Sequence, residues 1–581
     1  MWNFAGRQND LQGPGGITKG NWITGVKFLD EMRLGPQDKL PDSLKNNRAR
    51  NLMYMLPFLL GLIGLIYHYN KASKDAWVVM LLFFMTGVAI VIYLNGYPLQ
   101  PRERDYAYAG SYYAFAIWIG FGVLALYDAI RKKLPGNVAA LGASTLCTLA
   151  VPVVMAHAEW NDHDRSNRFT SRDFAVDYLE SCAPNAILFT NGDNDTFPLW
   201  YVQEVEGVRT DVRVVNLSLL NTDWYIDQLK HKYYESEAIN ISWSQDKYIL
   251  GQRDYIPYYD RGLKDTIQLK ELVDFMGSDD PSVKARTQSG EMVNFYPTNI
   301  VRLDVDSAAV MANHVISPDM AGEMVRYMLI NLPTTYLMKN DLMILNIIAN
   351  NNWKRPIYFA TTVGSDNYVN LQNYFQLEGL TYRFVPLYTP SNDELATGRV
   401  DADIMYKNVM DHFVYGNMKD EKVYLDENNI RMTTNFRINL ARLAEELLNN
   451  NKKDSAVKVL DKCLEETPDK TVPYNYFMVN IAALYYRAAG DYKTTDKSKI
   501  DQALAAKGNA IIKRLSEIYS NNMEYYLSIQ NTKYYKLVDM DRNQSLYILQ
   551  AVTNILQQTS QKSLYEEVNK KFMDYAQRAG G

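Results

Sequence analysis

Residues 77–94 read WVVMLLFFMTGVAIVIYL, a run without a single charged side chain. About 20 mostly apolar residues suffice for a helix to cross a bilayer. Comparable apolar segments occupy residues 52–68, 111–127 and 137–157. The sequence therefore predicts four transmembrane helices within residues 51–157 and contact with the lipid bilayer.

The charges of the connecting loops predict the orientation of these helices. Lys71 and Lys74 lie between the first and second segments, and residues 131–133 (RKK) lie between the third and fourth. Because Lys and Arg accumulate on the cytoplasmic side, both loops are expected in the cytoplasm. The polar head, residues 1–50, and the region that follows the last helix are then expected in the periplasm. This makes the chain a multi-pass protein of the inner (cytoplasmic) membrane.

The polar head conflicts in part with this orientation. Lys45, Arg48 and Arg50 stand beside the first apolar segment on the side assigned to the periplasm. Helices upstream of the head would deliver it across the membrane and resolve the conflict. We therefore expect the chain to be the C-terminal portion of a larger multi-pass protein, with Met1 an internal methionine. The alternative is a complete four-helix protein whose N-terminus lies outside.

The composition excludes several functional classes. A net charge of −5 over 581 residues gives no bulk basic signature, so nucleic acid is not an expected partner. The three cysteines form no CxxC pair, and the six histidines form no HExxH motif, which argues against zinc chemistry. The 43 tyrosines and 9 tryptophans suit both membrane interfaces and sugar faces.

Residues 158–430 carry the alternating pattern of a soluble α/β domain. A helix is predicted at 171–181, a buried strand at 186–190, a helix at 197–206 and a second strand at 212–219. This order is typical of a parallel α/β unit, which binds ligands at the carboxyl edge of its sheet. The same patterns predict further helices and strands, at residues 320–332 and 341–350 and at residues 355–360 and 379–386 respectively.

Residues 431–581 are expected to be helical. The spacing of Leu440, Leu443, Ala444 and Leu447, followed by the small Ala456, fits one tetratricopeptide repeat (TPR). A TPR-like region of this kind most often packs or binds a partner.

The loop between the second and third apolar segments contains Arg102, Glu103, Arg104, Asp105 and Tyr106. Two arginines can clamp a lipid-linked phosphate, and a carboxylate beside them can act as a general base or orient a metal. The alternative is an interfacial loop whose charges pair with one another. We place these five residues among the candidates for substrate binding.

Two further groups are candidates for substrate binding. In the head, Trp2, Asn3, Arg7 and Asp10 are side chains of the kinds that stack on sugars and hydrogen bond to them, and they also occur in ordinary loops. After the first strand of the α/β domain, Asp193 and Asp195 form an Asp-x-Asp pair. Such a pair can share a divalent metal, or it can serve as a turn and helix cap. No other cofactor is expected.

Several long motifs resemble one family of membrane proteins. They are MWNFAGRQNDLQG at residues 1–13, YPLQPRERDYAYAGSYYAFAIWIG at 97–120, LFTNGDNDTFPLWYVQE at 188–204 and NNWKRPIYFATT at 351–362. The chain resembles the large multi-pass proteins of Bacteroidetes that carry domain of unknown function 2723. That family includes protein O-mannosyltransferases of eukaryotic membranes. The resemblance implies a GT-C type glycosyltransferase, which moves a sugar from a polyprenyl-phosphate donor to a protein or glycan acceptor outside the cytoplasm.

The resemblance also implies roles for the candidate residues. Arg102 and Arg104 would help to hold the lipid phosphate, Glu103 and Asp105 would organise their loop, and the four head residues would line the same external cavity. The family's acidic motif of the Asp-x-Gly-Glu-Phe type, its expected catalytic site, is missing from this sequence. The catalytic residue is therefore unassigned. The alternative function is a non-enzymatic, membrane-anchored envelope scaffold that binds partners through its TPR-like region.

Overall fold

The computed structural model describes residues 1–12, 16–96, 104–263, 265–287, 290–390, 397–493 and 497–580. The chain divides into two compact units. The first consists of Met1–Ser166, Glu421–Arg431 and Asp469–Gly581, and the second of Asn167–Asp420 and Met432–Pro468.

The first unit begins with a small head and continues into long apolar helices. Its elements up to residue 166 are α1 (Trp2–Ala5), β1 (Gly6–Arg7), α2 (Lys27–Leu34), α3 (Asp42–Lys45), β2 (Asn51–Leu52), α4 (Leu56–Lys71), α5 (Ser73–Met85), α6 (Val88–Leu94), α7 (Ala109–Ile130), α8 (Gly136–Thr148) and α9 (Val154–His163).

Among the described residues, three helical stretches are long and apolar enough to cross a membrane: Ser73–Leu94, Asp105–Ile130 and Gly136–His163. They coincide with three of the four predicted segments, so the expectation of a membrane protein is supported. Only 6% of the apolar window in the first stretch is buried within the protein. Its apolar side chains, such as Leu81 and Ile92, are exposed, which is consistent with contact with lipid. The remaining predicted segment forms α4, a helix of 16 residues.

Two of these stretches are irregular. The first is interrupted between α5 and α6 at Thr86 and Gly87. In the last, a π-helical turn at Leu149–Val153 contains Pro152 and joins α8 to α9. Proline lacks the amide donor that a regular α-helix needs, so a wider turn at this position has an identifiable cause.

The closest helix packing in the first unit joins α4 to α7. An added Cβ atom at Gly64 would lie 1.7 Å from the carbonyl oxygen of Trp118, and one at Gly122 would lie 2.4 Å from that of Leu60. Glycine is therefore required for this approach of two backbones, as is common between membrane helices. Further along, the ring of His68 stacks on Phe121 with the centroids 3.9 Å apart.

The second unit carries the α/β architecture. The helices and strands between residues 167 and 468 are α10 (Thr170–Glu180), β3 (Ile187–Thr190), α11 (Asp193–Glu206), β4 (Arg213–Asn216), α12 (Asp223–Leu229), β5 (Tyr255–Pro257), β6 (Ile267–Gln268), α13 (Leu269–Gly277), β7 (Ala285–Arg286), β8 (Met292–Val293), β9 (Ile300–Asp304), α14 (Ser307–Ala312), β10 (Tyr327–Asn331), β11 (Tyr336–Met338), α15 (Lys339–Asn351), β12 (Ile357–Ala360), β13 (Phe375–Leu377), β14 (Thr381–Phe384), β15 (Arg399–Val400), α16 (Ala402–Lys407), α17 (Glu427–Asn449) and α18 (Lys453–Glu466).

The main sheet of the second unit has six strands in the order β15-β13-β14-β12-β3-β4. Strands β12, β3 and β4 are parallel, and β14 is antiparallel to β12. Every residue of β3, β4 and β12 is buried, as expected for parallel strands covered on both faces. The predicted parallel α/β unit is therefore confirmed.

One predicted helix is wrong. Residues 320–332 contain a 3-10 turn, Pro318–Glu323, followed by strand β10. In β10, Met328 and Ile330 are buried and their neighbours are exposed, which is the period of a strand. Its partner β9 lies upstream in the sequence, so the local pattern of apolar residues does not indicate this pairing.

The chain ends in helices. In the second unit, α17 and α18 bury Leu440, Leu443, Ala456 and Leu460. The last helices belong to the first unit and are α19 (Met478–Ala489), α20 (Gln502–Ser528), α21 (Asp539–Gln558) and α22 (Lys562–Gly580).

Candidate functional site

The candidate site lies at the carboxyl edge of the parallel strands in the second unit. From β3 the chain passes through α11 to β4 on one side, and it later returns to β12 on the other side of β3. The crevice between the carboxyl ends of β3 and β12 is thus a topological switch point. Open α/β sheets usually bind their ligands at such a crevice. We call the residues around it the switch-point site.

Three side chains meet in this crevice. The hydroxyl of Thr362, which follows β12, donates a hydrogen bond to Oδ2 of Asp195 at 2.6 Å. Tyr178 of α10 donates its own hydroxyl hydrogen to the Thr362 oxygen at 3.2 Å. Asp195 is therefore fixed by a chain of two hydroxyls that comes from the neighbouring strand and helix.

The electrostatics of Asp195 are set mainly by its burial. Partial removal from water raises the pKa of this carboxyl, although the Thr362 hydroxyl and the backbone amide of Asn191 act in the opposite direction. Burial likewise raises the pKa of the Tyr178 hydroxyl, so this group stays protonated and remains a donor. A held carboxylate of this kind can accept a hydrogen bond from a substrate hydroxyl.

The floor of the site is a closed polar network. Thr190 and Thr196 share a hydrogen bond of 2.8 Å, and the amide nitrogen of Asn216 donates to the Thr196 hydroxyl at 2.9 Å. All three side chains are buried. Gly192, with φ of 76°, lets the chain turn from β3 into α11 above them. These groups position the loop that carries Asp195.

The two aspartates of the Asp-x-Asp pair point in different directions. Helix α11 begins at Asp193, four residues earlier than predicted, so both carboxylates lie in its first turn. Residues two apart on a helix do not share a face. Asp195 turns towards Thr362 and Asp193 is exposed. No group of three or more His, Cys, Asp or Glu suited to a metal ion occurs in the described part of the chain.

Aromatic side chains lie on the face of α11 that also carries Asp193 and Asn194, which is a different face from that of Asp195. The ring of Phe197 stacks on that of Trp200 with 5.5 Å between centroids and an interplanar angle of 25°. Phe197 is 51% exposed and Tyr201 is 49% exposed. Asn194 is exposed two turns before Tyr201. An exposed ring face beside carboxamide and carboxylate groups is suited to a sugar, which has both apolar faces and hydroxyls.

Comparison with known proteins points to this same region. Residues 171–404 match the family model described as TMEM260-associated domain 2. No curated protein and no solved structure matches the chain. The TMEM260-associated match runs from α10 through β15 and so includes all six strands of the main sheet and the switch-point site.

The candidates of the loop before α7 are only partly described. Arg102 and Glu103 lie outside the described residues. Arg104 is exposed and forms no salt bridge with any residue that the structure describes. Asp105 and Tyr106 begin a 3-10 turn that leads into α7, and Tyr106 is 60% exposed.

The candidates of the head are held by local contacts. Arg7 lies over the ring of Trp2 at 5.5 Å and donates to the carbonyl oxygen of Asn9. Asp10 accepts hydrogen bonds from Asn47 at 2.9 Å and from the hydroxyl of Tyr424. Asp10 is thus satisfied by protein groups.

The head and the 3-10 turn meet at one end of α7. Phe4 of α1 packs on Phe115 of α7 with 4.6 Å between the ring centroids. Trp2 and Asn3, which belong to α1, therefore lie at the end of α7 that carries Arg104 to Tyr106.

The sequence reasoning missed Thr362, Tyr178 and the aromatic pair of α11. A signal for Thr362 was present, because Thr361 and Thr362 directly follow the predicted strand at 355–360. Which strand would neighbour β3 was not visible in the sequence, so the contact with Asp195 could not be inferred.

We predict that Asp195→Asn raises stability at neutral pH. The folded protein holds the Asp195 pKa above the ordinary value of 3.8, so below that value the carboxyl is protonated in both states. As the pH rises through the folded pKa, the unfolded state ionises more readily and the wild type loses stability. The neutral amide removes this loss and keeps an acceptor for Thr362. Melting curves at pH 7 and pH 4 should show a gain in Tm for the variant that shrinks in acid. A variant less stable than the wild type at pH 7 would contradict the assignment.

Proposed function

We propose that this chain acts in a membrane-bound GT-C type glycosyltransferase. The enzyme would transfer a sugar from a polyprenyl-phosphate donor to a protein or glycan acceptor outside the cytoplasm. The observation that carries the proposal is the switch-point site, where Thr362 hydrogen bonds to the Asp195 carboxylate. The same helix carries an exposed side-chain amide and a stacked pair of aromatic rings. The chain also has helices that are long and apolar enough to cross a membrane. The resemblance to the family with domain of unknown function 2723 supports the same reaction.

In this proposal the switch-point site binds the acceptor. Asp195 accepts a hydrogen bond from an acceptor hydroxyl, while Thr362 keeps the carboxylate in place. A second part of the acceptor, a sugar or aromatic face, stacks on the exposed ring of Phe197, which lies on another face of α11 and stacks against Trp200. Both contacts bind the acceptor. Neither takes part in the chemical step at the donor sugar.

The donor is assigned to the first unit. Arg104 is exposed at the start of the 3-10 turn before α7, and it is available to a lipid-linked phosphate. Arg102 would contribute a second guanidinium, and Asp105 would keep the loop in order. Arginine suits this task because its planar group can donate two parallel hydrogen bonds to a phosphate.

We also propose a membrane topology, a fourth membrane span and a TPR-like hairpin. The protein would lie in the inner membrane with its α/β unit in the periplasm, as the loop charges predict. Helix α4 would be a fourth span, supported by its glycine-mediated packing on α7. Helices α17 and α18 would form a TPR-like hairpin, supported by the buried small residue Ala456.

A transfer assay tests the proposal. Membrane vesicles from cells that make the protein as its gene encodes it receive polyprenyl phosphate carrying a radiolabelled sugar, with mannose first. We expect label in a protein or glycan fraction that vesicles lacking the protein do not produce. Arg104→Ala should raise the KM for the donor about tenfold, because a charge-assisted hydrogen bond is worth about 1.5–3 kcal/mol.

Lys132→Ala is the matched control, since Lys132 is an exposed cation of the loop between α7 and α8. It should leave the donor KM unchanged. Equal effects of the two substitutions would remove Arg104 from the donor site. If a panel of lipid-linked sugars gave no transfer at all, the scaffold alternative would be favoured.

A further inference from the structure

Helix α2 of the head is amphipathic with its apolar side turned outwards. Phe28 is 73% exposed, Met32 is 63% exposed and Leu29 is 39% exposed. These three residues follow the i, i+1, i+4 spacing of one helix face. Asp30 and Leu34 are the buried residues of this helix, so its inner side is partly polar while three large apolar side chains remain exposed.

The inward polar groups fix this orientation. The carboxylate of Asp30 is buried and accepts hydrogen bonds from the backbone amides of Thr24 at 2.7 Å and Gly25 at 2.9 Å. Arg33 lies 3.8 Å from the ring centre of Trp22 and donates to the carbonyl oxygen of that residue. The helix cannot rotate its apolar face inwards without losing these contacts, so the exposed face is built into the fold.

The head is attached to the membrane helices at a defined depth. Phe4 packs against Tyr112 and Phe115, which lie about two and three turns inside the candidate span Asp105–Ile130. Strand β1 follows Phe4 directly, and it is bridged to Trp22 shortly before α2. The head therefore begins at the level of the apolar helices themselves.

A second contact brings α2 to the same level. A Cβ atom added at Gly25, which lies two residues before α2, would be 3.2 Å from the ring of Tyr54. Tyr54 is 51% exposed and stands just before α4. The start of α2 is therefore close to the residue that leads into the first apolar helix.

We propose that α2 is an interfacial membrane anchor. Its face of Phe28, Leu29 and Met32 lies in the boundary between headgroups and acyl chains, with Val26 and Tyr54 beside it. Lys27 stays at the headgroup level, where it is paired with Glu31 and Asp38. A helix with this distribution of side chains lies in the plane of the interface, and tyrosine is common at that depth.

Spin labels test the depth of this face. The three native cysteines are buried, so a cysteine added at an exposed position can be labelled selectively. We would label Phe28→Cys and Met32→Cys separately in the full chain, reconstituted into phosphatidylcholine vesicles. Ile92→Cys, 70% exposed within a candidate span, is the lipid reference, and Asp246→Cys, at an exposed position of the second unit, is the water reference.

We expect the ratio of collision rates with oxygen and with a water-soluble nickel chelate to be at least about threefold higher at both α2 positions than at position 246, and to approach the ratio at position 92. A ratio equal to that at position 246 would place the face in water and overturn the proposal. Low collision rates with both reagents would mean that protein, either a second copy or a partner, covers the face, which overturns it equally. The two positions are exposed and independent, so neither result depends on one tolerated substitution.

Discussion

Gly64→Leu is expected to prevent α4 from packing on α7. Even a single added carbon atom at this position would lie 1.7 Å from the Trp118 carbonyl oxygen and 2.6 Å from the Gly122 amide nitrogen. Both are backbone atoms of a membrane helix, so neither can move aside as a side chain would. Overpacking of this kind costs about 3 kcal/mol or more. We expect a fall in Tm of roughly 10 °C in detergent, measured by intrinsic fluorescence, together with a low yield of folded protein.

Gly120→Leu is the matched control for this prediction. Gly120 lies on the same helix as Gly122, and an added Cβ atom there would meet nothing within 4 Å. The control should melt close to the wild type. If Gly64→Leu also melted like the wild type, the close approach of α4 and α7 would be wrong.

Asp195→Ala is expected to weaken the use of the acceptor strongly. The substitution removes the one carboxylate that Thr362 and Tyr178 hold in the switch-point crevice. A hydrogen bond to a charged group contributes about 1.5–3 kcal/mol, so the acceptor KM should rise about 10- to 100-fold. The donor KM should stay near the wild-type value, because the donor is assigned to the first unit. Initial rates of sugar transfer at varied acceptor concentration measure this effect.

Thr362→Val tests whether Thr362 positions the Asp195 carboxylate or binds the acceptor itself. Valine matches threonine in shape and removes the hydroxyl that holds Asp195. We expect a smaller rise in the acceptor KM than for Asp195→Ala, because the carboxylate remains but is no longer held. An effect larger than that of Asp195→Ala would indicate that Thr362 itself contacts the acceptor.

The most accurate predictions from the sequence came from regular patterns of apolar residues. The segments at 77–94, 111–127 and 137–157 each lie within a helical stretch suited to a membrane, because length and apolar content are local properties. The buried strands at 186–190 and 355–360 were likewise found from continuous apolar runs. The helix predicted at residues 320–332 was wrong because their apolar spacing fits a helix as well as a strand. Part of this segment is a strand because it pairs with β9, which lies upstream in the sequence.

The candidate site was predictable only in part. The loop after β3 was found, since glycine, asparagine and aspartate mark the carboxyl end of a strand. The start of α11 was placed too late, because the same residues also favour the first turn of a helix. The partner of Asp195 depends on β12 lying beside β3, across a separation of more than 160 residues in sequence. Such a pairing depends on the topology of the sheet, and no pattern in the local sequence indicates it.

The most direct test of the central claim compares Asp195→Asn with Asp193→Asn in the transfer assay. Both changes remove one negative charge from the first turn of α11, but only Asp195 lies in the crevice. We expect Asp195→Asn to raise the acceptor KM about tenfold or more, and Asp193→Asn to leave the acceptor KM within about twofold of the wild type. Equal acceptor KM values for the two variants would contradict it.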